Sequence, residues 1–176
     1  MASNANFISQ FVMGGDPCTY KESGELQAEM SKLTHPARPD VDWRQVEKLC
    51  LALFRQNGVE LQTLVCYVLA ITRRQGLAGM ADGLGSLDIL LQRWADFWPV
   101  QVHSRISLLG WVTEKMQQAL RTLDIQYQDL PQIYRCVQHL SAIETTLQQC
   151  ELWHMTKLDL LAGQFRNTAL RLERLA

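Results

Sequence analysis

The sequence predicts an all-α fold, and three observations carry that expectation. From Asp42 onward, apolar residues recur at steps of three and four, which places them on single helical faces. Capping residues, glycines and prolines fall where those stretches begin and end. No alternating apolar and polar run of useful length occurs, so no strand is expected. The expected architecture is a bundle of about five to seven helices with a long C-terminal amphipathic helix or helix pair.

Residues 1–40 read as an N-terminal turn and short helix packing on the main domain. Phe7 to Met13 is a short apolar stretch, and Gly14-Gly15-Asp16-Pro17 forms a turn. Leu26, Met30 and Leu33 share one face of a helix expected over 23–33. Pro36 and Pro39 then push their preceding residues out of the helical region.

Residues 41–130 read as the helical core. Asp42 caps the helix it opens, with Gln45 three residues on as in a capping box. Val46, Leu49, Cys50, Leu53 and Phe54 follow at helical spacing, together with Trp43. Gly58 is expected as the left-handed residue that ends this helix. The next helix, over 59–75, carries Leu61, Leu64, Val65, Val68, Leu69 and Ile71. It is apolar around most of its circumference and should be central. Gly76 stops it, after Arg73 and Arg74 at its negative end. Residues 76–85 hold four glycines and read as a helix-to-helix connection. A third helix is expected to run on to Trp98 with Leu84, Leu87, Leu91, Trp94 and Trp98 on one face, ended by Pro99. A fourth starts near Ser104 with Ile106, Leu109, Val112, Met116, Leu120 and Leu123.

Residues 131–176 read as a long amphipathic segment opened by Pro131 in the favourable first turn. Its stripe runs from Ile133 through Cys136, Leu140, Ile143, Leu147, Cys150 and His154 to Leu158, Leu161, Phe165, Leu172 and Leu175. An extra step of four falls around His154. One helix, or two nearly collinear ones, is expected. Leu158, Leu161, Phe165, Leu172 and Leu175 form an expected association face, because a helix reaching beyond a closed core leaves its stripe in water. The chain ends within that stripe, so further sequence is expected after Ala176.

Composition excludes several classes. Seventeen basic and eighteen acidic residues give a net charge of −1, which leaves no excess positive charge for nucleic acid. The apolar run 64–71 is too short to span a bilayer. Residues 1–6 lack the basic and apolar regions of a secretory signal. Five widely spaced cysteines, an odd number, suit reduced thiols in the cytoplasm.

Chemistry-bearing patterns are weak. Cys136 with His139 and Cys150 with His154 superficially resemble zinc ligands, yet a helix would hold the two cysteines about 21 Å apart. Gly83-Leu84-Gly85 lacks the third glycine and the preceding strand of a dinucleotide fingerprint. His35, His103, His139 and His154 have no nucleophile signature nearby. No metal, cofactor or catalytic residue is therefore expected. Asp40, Asp42, Asp82 and Asp88 read as helix caps or first-turn charges. Trp43, Trp94, Trp98 and Trp111 read as core side chains, or as anchors for a protein partner.

Taken in order, these positions carry a resemblance: Gly15-Asp16-Pro17-Cys18, Val41 to Val46 with Asp42, Trp43 and Arg44, Asn57 to Gln62 with Gly58 and Leu61, Gly76 to Leu84 with Gly79 and Gly83, Trp94, Trp98-Pro99, Arg105 and Trp111. The series resembles the N-terminal domain of ImpA/TssA-type proteins of bacterial type VI secretion systems. The continuation, with Asp129-Leu130-Pro131, His139-Leu140 and Leu158-Asp159, is similar to the VasL or TagA branch. The resemblance implies a non-enzymatic tail assembly factor that docks tail sheath or tube, baseplate or membrane-complex subunits and controls sheath assembly. Together with the reduced cysteines it suits a cytoplasmic chain, with contact with the inner membrane through partners or further sequence; the C-terminal stripe separately raises the expectation of a homo-oligomer. The alternative is a general helical adaptor of another bacterial complex.

Overall fold

The hydrophobic spacing resolves into seven α-helices in the computed structural model, which describes residues 4–175 and the side chains of residues 7–175. They are α1 (Lys21–Met30), α2 (Trp43–Gln56), α3 (Leu61–Gln75), α4 (Leu77–Leu91), α5 (Val102–Thr122), α6 (Leu130–Gln149) and α7 (Leu158–Glu173). The class is all-α, as the sequence predicts. Among the described residues the only β-type pairing is one parallel bridge, Met13 to Val59, and no helix is long and apolar enough to cross a membrane.

α3 is central because its sequence is apolar nearly all round. Leu61, Leu64, Val65, Val68, Leu69 and Ile71 are buried in it, and α2, α4 and α5 pack against it. Its Tyr67 closes a ring cluster with Phe7, Phe11 and Phe54, whose centroids are 5.5–5.7 Å apart in successive pairs. Such edge-on contacts add to area burial, and they fasten the N-terminal segment to the core. α1 packs on α2. The Asp42 carboxylate accepts the Gln45 N–H at 3.1 Å, as expected. The reciprocal bond comes from α1 instead: the Asp42 N–H donates to Glu29 Oε2 at 3.0 Å.

The segment 76–98 departs from expectation. Gly76 alone makes the turn, at φ +62°, and α4 begins at the next residue. Gly79 and Gly83 lie inside α4 rather than in a connection. A Cβ at Gly79 would lie 2.0 Å from the Ile71 carbonyl oxygen, and one at Gly83 would lie 2.7 Å from Val68 Cγ1. Close crossing of α3 and α4, not chain flexibility, is what these glycines allow. α4 ends at Leu91, so Trp94 and Trp98 do not continue its stripe. The chain from 92 to 101 is irregular, with Phe97 and Pro99 buried.

The C-terminal stripe is broken as well. α6 stops at Gln149, and positive φ at Glu151 and Lys157 reverses the chain. Trp153 turns inward there, and His154 points to solvent beside Asp159 at 3.1 Å. α7 then returns antiparallel along α6, tied by Arg166 to Glu144 at 3.2 Å and by Tyr134 to Glu173 at 2.6 Å. It also flanks α5, where Gln117 donates to Gln164 at 3.1 Å and Lys157 pairs with Glu114. Leu158, Leu161, Phe165 and Leu172 are consequently buried, while Leu175 is 68% exposed. The expected association face is therefore corrected: four of its five residues are covered by the chain's own helices. One core cluster runs from Ile8 to Leu172.

Candidate functional site: a polar junction beneath an aromatic face

Several motif positions of the N-terminal half meet at one junction. Gly58 follows α2 with φ +103°, and a Cβ there would lie 2.6 Å from the Val12 carbonyl oxygen. Only glycine fits both demands. The close approach lets the Val59 N–H donate to Val12 O at 2.8 Å and the Gly14 N–H to Val59 O at 2.9 Å. Asn57 Nδ2 donates to Gly15 O at 2.9 Å. Asp16 accepts the Cys18 N–H at 3.0 Å and so caps the turn that the buried Pro17 opens.

Glu60 caps α3 from a fully buried position. Its carboxylate accepts the Gln62 N–H at 2.7 Å and the Thr63 N–H at 2.8 Å. Burial nonetheless pushes its pKa up to about 7, against the downward pull of those bonds and with a smaller upward push from Asp16. Sequence reasoning missed this cap because glutamate is not among the preferred N-cap residues; only the buried setting identifies it.

Arg105 organises the neighbouring loop. It is 3% exposed, and its guanidinium donates to the carbonyl oxygens of Pro99 at 2.7 Å, Phe97 at 2.6 Å and Trp94. It also lies 4.6 Å from the Trp94 ring centroid and 3.9 Å from that of Phe97. The charge is thus held by carbonyl dipoles and ring faces rather than by a carboxylate. The loop in turn meets α3, since the Leu61 N–H donates to Trp98 O at 3.0 Å.

Other expected positions lie apart from this junction. Trp43 is half-buried under the Arg73 guanidinium, 5.5 Å from its ring centroid. Arg44 is exposed and makes no carboxylate or carbonyl contact among the described residues. Asp82 is not a cap. It sits within α4 and pairs with Arg135 of α6 at 2.6 Å. Asp88, also in α4, accepts from Gln92 at 3.2 Å. Burial raises the thiols of Cys66 and Cys136 to about 12, which keeps them protonated and unreactive. Among the described residues, no group of three or more His, Cys, Asp and Glu side chains converges.

Above the junction lies the outer face of α5. His103, Ser107, Gly110 and Glu114 form its ridge at steps of four, three and four. Two grooves flank it: one of about 400 Å³ beside Trp98 and Pro99, the other of about 340 Å³ between Trp111 and Met155. Trp98, Ile106 and Trp111 are half-buried, and Met155 is exposed. Two tryptophans that present a rigid apolar flank with a polar ring nitrogen suit protein contact better than small-molecule chemistry.

The sequence model of one family, described as ImpA, N-terminal, type VI secretion system, matches residues 8–114. The match takes in every motif position from Asp16 to Trp111 and more than half of the chain. No curated protein and no solved structure matches. The junction that uses Asp16, Gly58 and Arg105 and the close α3–α4 crossing at Gly79 both fall inside that match: the chain belongs to the ImpA N-terminal family of type VI secretion systems.

Proposed function

We propose that this chain is a non-catalytic interaction module of a type VI secretion tail assembly factor. It docks tail sheath or tube, baseplate or membrane-complex subunits in the cytoplasm and thereby controls sheath assembly. Family membership supports the secretion role. The observation that carries the docking role is the aromatic face along α5, where Trp111 of that helix and Trp98 of the loop before it are half-exposed inside the matched span. The prominent buried polar groups are engaged in structure: Glu60 caps a helix, Arg105 holds a loop, and Asp82 ties two helices. That leaves the face itself to act by contact alone.

The test is direct binding of the purified chain to each of the four subunit classes. One class is expected to bind, and Trp98→Ala with Trp111→Ala should weaken it at least roughly tenfold, as for interface hot spots. Circular dichroism of the variant checks that the fold is kept. Binding by none of the four would refute the role, and unchanged binding by the folded variant would refute the face.

A further inference from the structure

A third groove lies between the C-terminal end of α5 and the C-terminal half of α7, with a volume of about 360 Å³. Arg121, Leu123 and Ile125 line it from the end of α5 and the chain after it, and Asn167, Thr168 and Arg171 line it from α7. No acidic residue lines it. Both arginines are exposed and have no hydrogen bond or ion pair among the described residues, and the Asn167 amide is equally unengaged. Other cations nearby are already paired: Arg166 with Glu144 and Lys157 with Glu114. Two guanidiniums beside an apolar wall therefore remain without a partner.

A structural role for the two arginines alone accounts for only part of this. Arg121 and Arg171 sit in the last turns of their helices, where a cation complements the negative pole. Each pole amounts to roughly half an elementary charge. α5 and α7 run parallel here, as the successive contacts Glu114 to Lys157 and Gln117 to Gln164 require, so both poles lie at this groove. Two full positive charges are more than two poles of about half a charge each need.

We infer that this groove binds an acidic peptide segment of a protein partner, one that alternates carboxylate and aliphatic side chains. Planar guanidiniums match carboxylates in forked, two-bond geometry, and Leu123 and Ile125 supply the wall for an aliphatic neighbour. Every lining residue lies after residue 114, outside the family-matched span. The inference therefore goes beyond the docking role of the α5 face and does not rest on it.

The experiment titrates the isotopically labelled full chain with a capped peptide of alternating glutamate and leucine. Amide shifts are expected at Leu123, Asn167 and Arg171, and they should weaken with added salt. A glutamine-for-glutamate peptide should bind at least roughly tenfold less tightly, and so should the acidic peptide to the double variant Arg121→Glu with Arg171→Glu. Both substitutions are at exposed positions, and the variant's own spectrum reports whether it folds. The inference is overturned by shifts that map elsewhere, by absence of shifts at millimolar peptide, by equal binding of the glutamine peptide, or by inorganic phosphate matching the acidic peptide at equal concentration.

Discussion

Replacing Glu60 with glutamine isolates the energetics of the buried cap. The carboxyl group is fully buried and its pKa is raised from 4.5 to about 7, first by desolvation and then by the charge of Asp16. The native state therefore holds a proton between those values that the unfolded chain has released. Stability from this group is greatest below about pH 4.5, falls as pH rises, and levels off above about 7. The difference amounts to about 3 kcal/mol. Glu22, Glu29 and Glu114 have lowered pKa values, so they act in the opposite sense and at lower pH. They do so equally in wild type and variant, and the difference between the two proteins cancels them. Glutamine retains one acceptor for the Gln62 or Thr63 N–H and leaves the other donor unsatisfied, a pH-independent loss of about 1–2 kcal/mol. Urea unfolding of both proteins from about pH 4.5 to 8 should show the variant gaining about 3 kcal/mol relative to wild type over that range. A difference curve that stays flat would mean that the carboxylate is ionised throughout, and the desolvation argument would fail.

Three further predictions concern the fold. Arg105→Met should lose about 3 kcal/mol or more, because three inward carbonyls lose their donor; a melting temperature within a degree or two of wild type would count against its role as loop organiser. Gly79→Ala should lose about 3 kcal/mol, since its methyl group would overlap the Ile71 carbonyl, whereas Gly15→Ala, with open space around it, should stay within about 0.5 kcal/mol in the same denaturation assay. Leu161→Glu combined with Phe165→Glu should unfold the chain, because both side chains are internal; a folded, dispersed NMR spectrum from that variant would return the stripe to the surface.

Much of the fold was legible because the deciding forces are local. Asp42 announces α2 through a cap bond three residues away, and Gly58 ends it through a backbone conformation. The run from Leu61 to Ile71 is central because it is apolar on every side. The errors fall where distant contacts decide. Gly79 and Gly83 look like connection residues until Ile71 and Val68 of α3 are brought against them. Trp94 and Trp98 keep helical spacing, yet Arg105 draws the carbonyls of Trp94, Phe97 and Pro99 towards itself and holds the chain out of a helix. The reversal after α6 did leave a trace, the extra step of four around His154, beside the buried Trp153. A stripe with one extra step describes a hairpin as well as a continuous helix, because both bury the same residues on one side. Glu60 and the α7 groove had no local signature, since the first needs burial and the second needs two helix ends side by side.

The family match ends at Glu114, in the middle of α5, but the core does not end there. α4 lies wholly within the matched span and is buried on nearly every side. Part of its cover is α6, which lies wholly outside that span and is joined to α4 by Asp82 and Arg135. The two helices make different demands on sequence. Gly79 must lack a side chain, and Arg105 must reach three carbonyls while fitting between two rings. Ile133, Leu140 and Leu147 of α6 need only fill apolar volume, which several residue types do at a cost below about 1.5 kcal/mol. A sequence signal is therefore strong where geometry dictates residue identity and faint where it dictates only hydrophobicity. On this reasoning the limit at Glu114 marks a change in the kind of constraint, and the hairpin of α6 and α7 completes the same hydrophobic core while carrying a surface of its own.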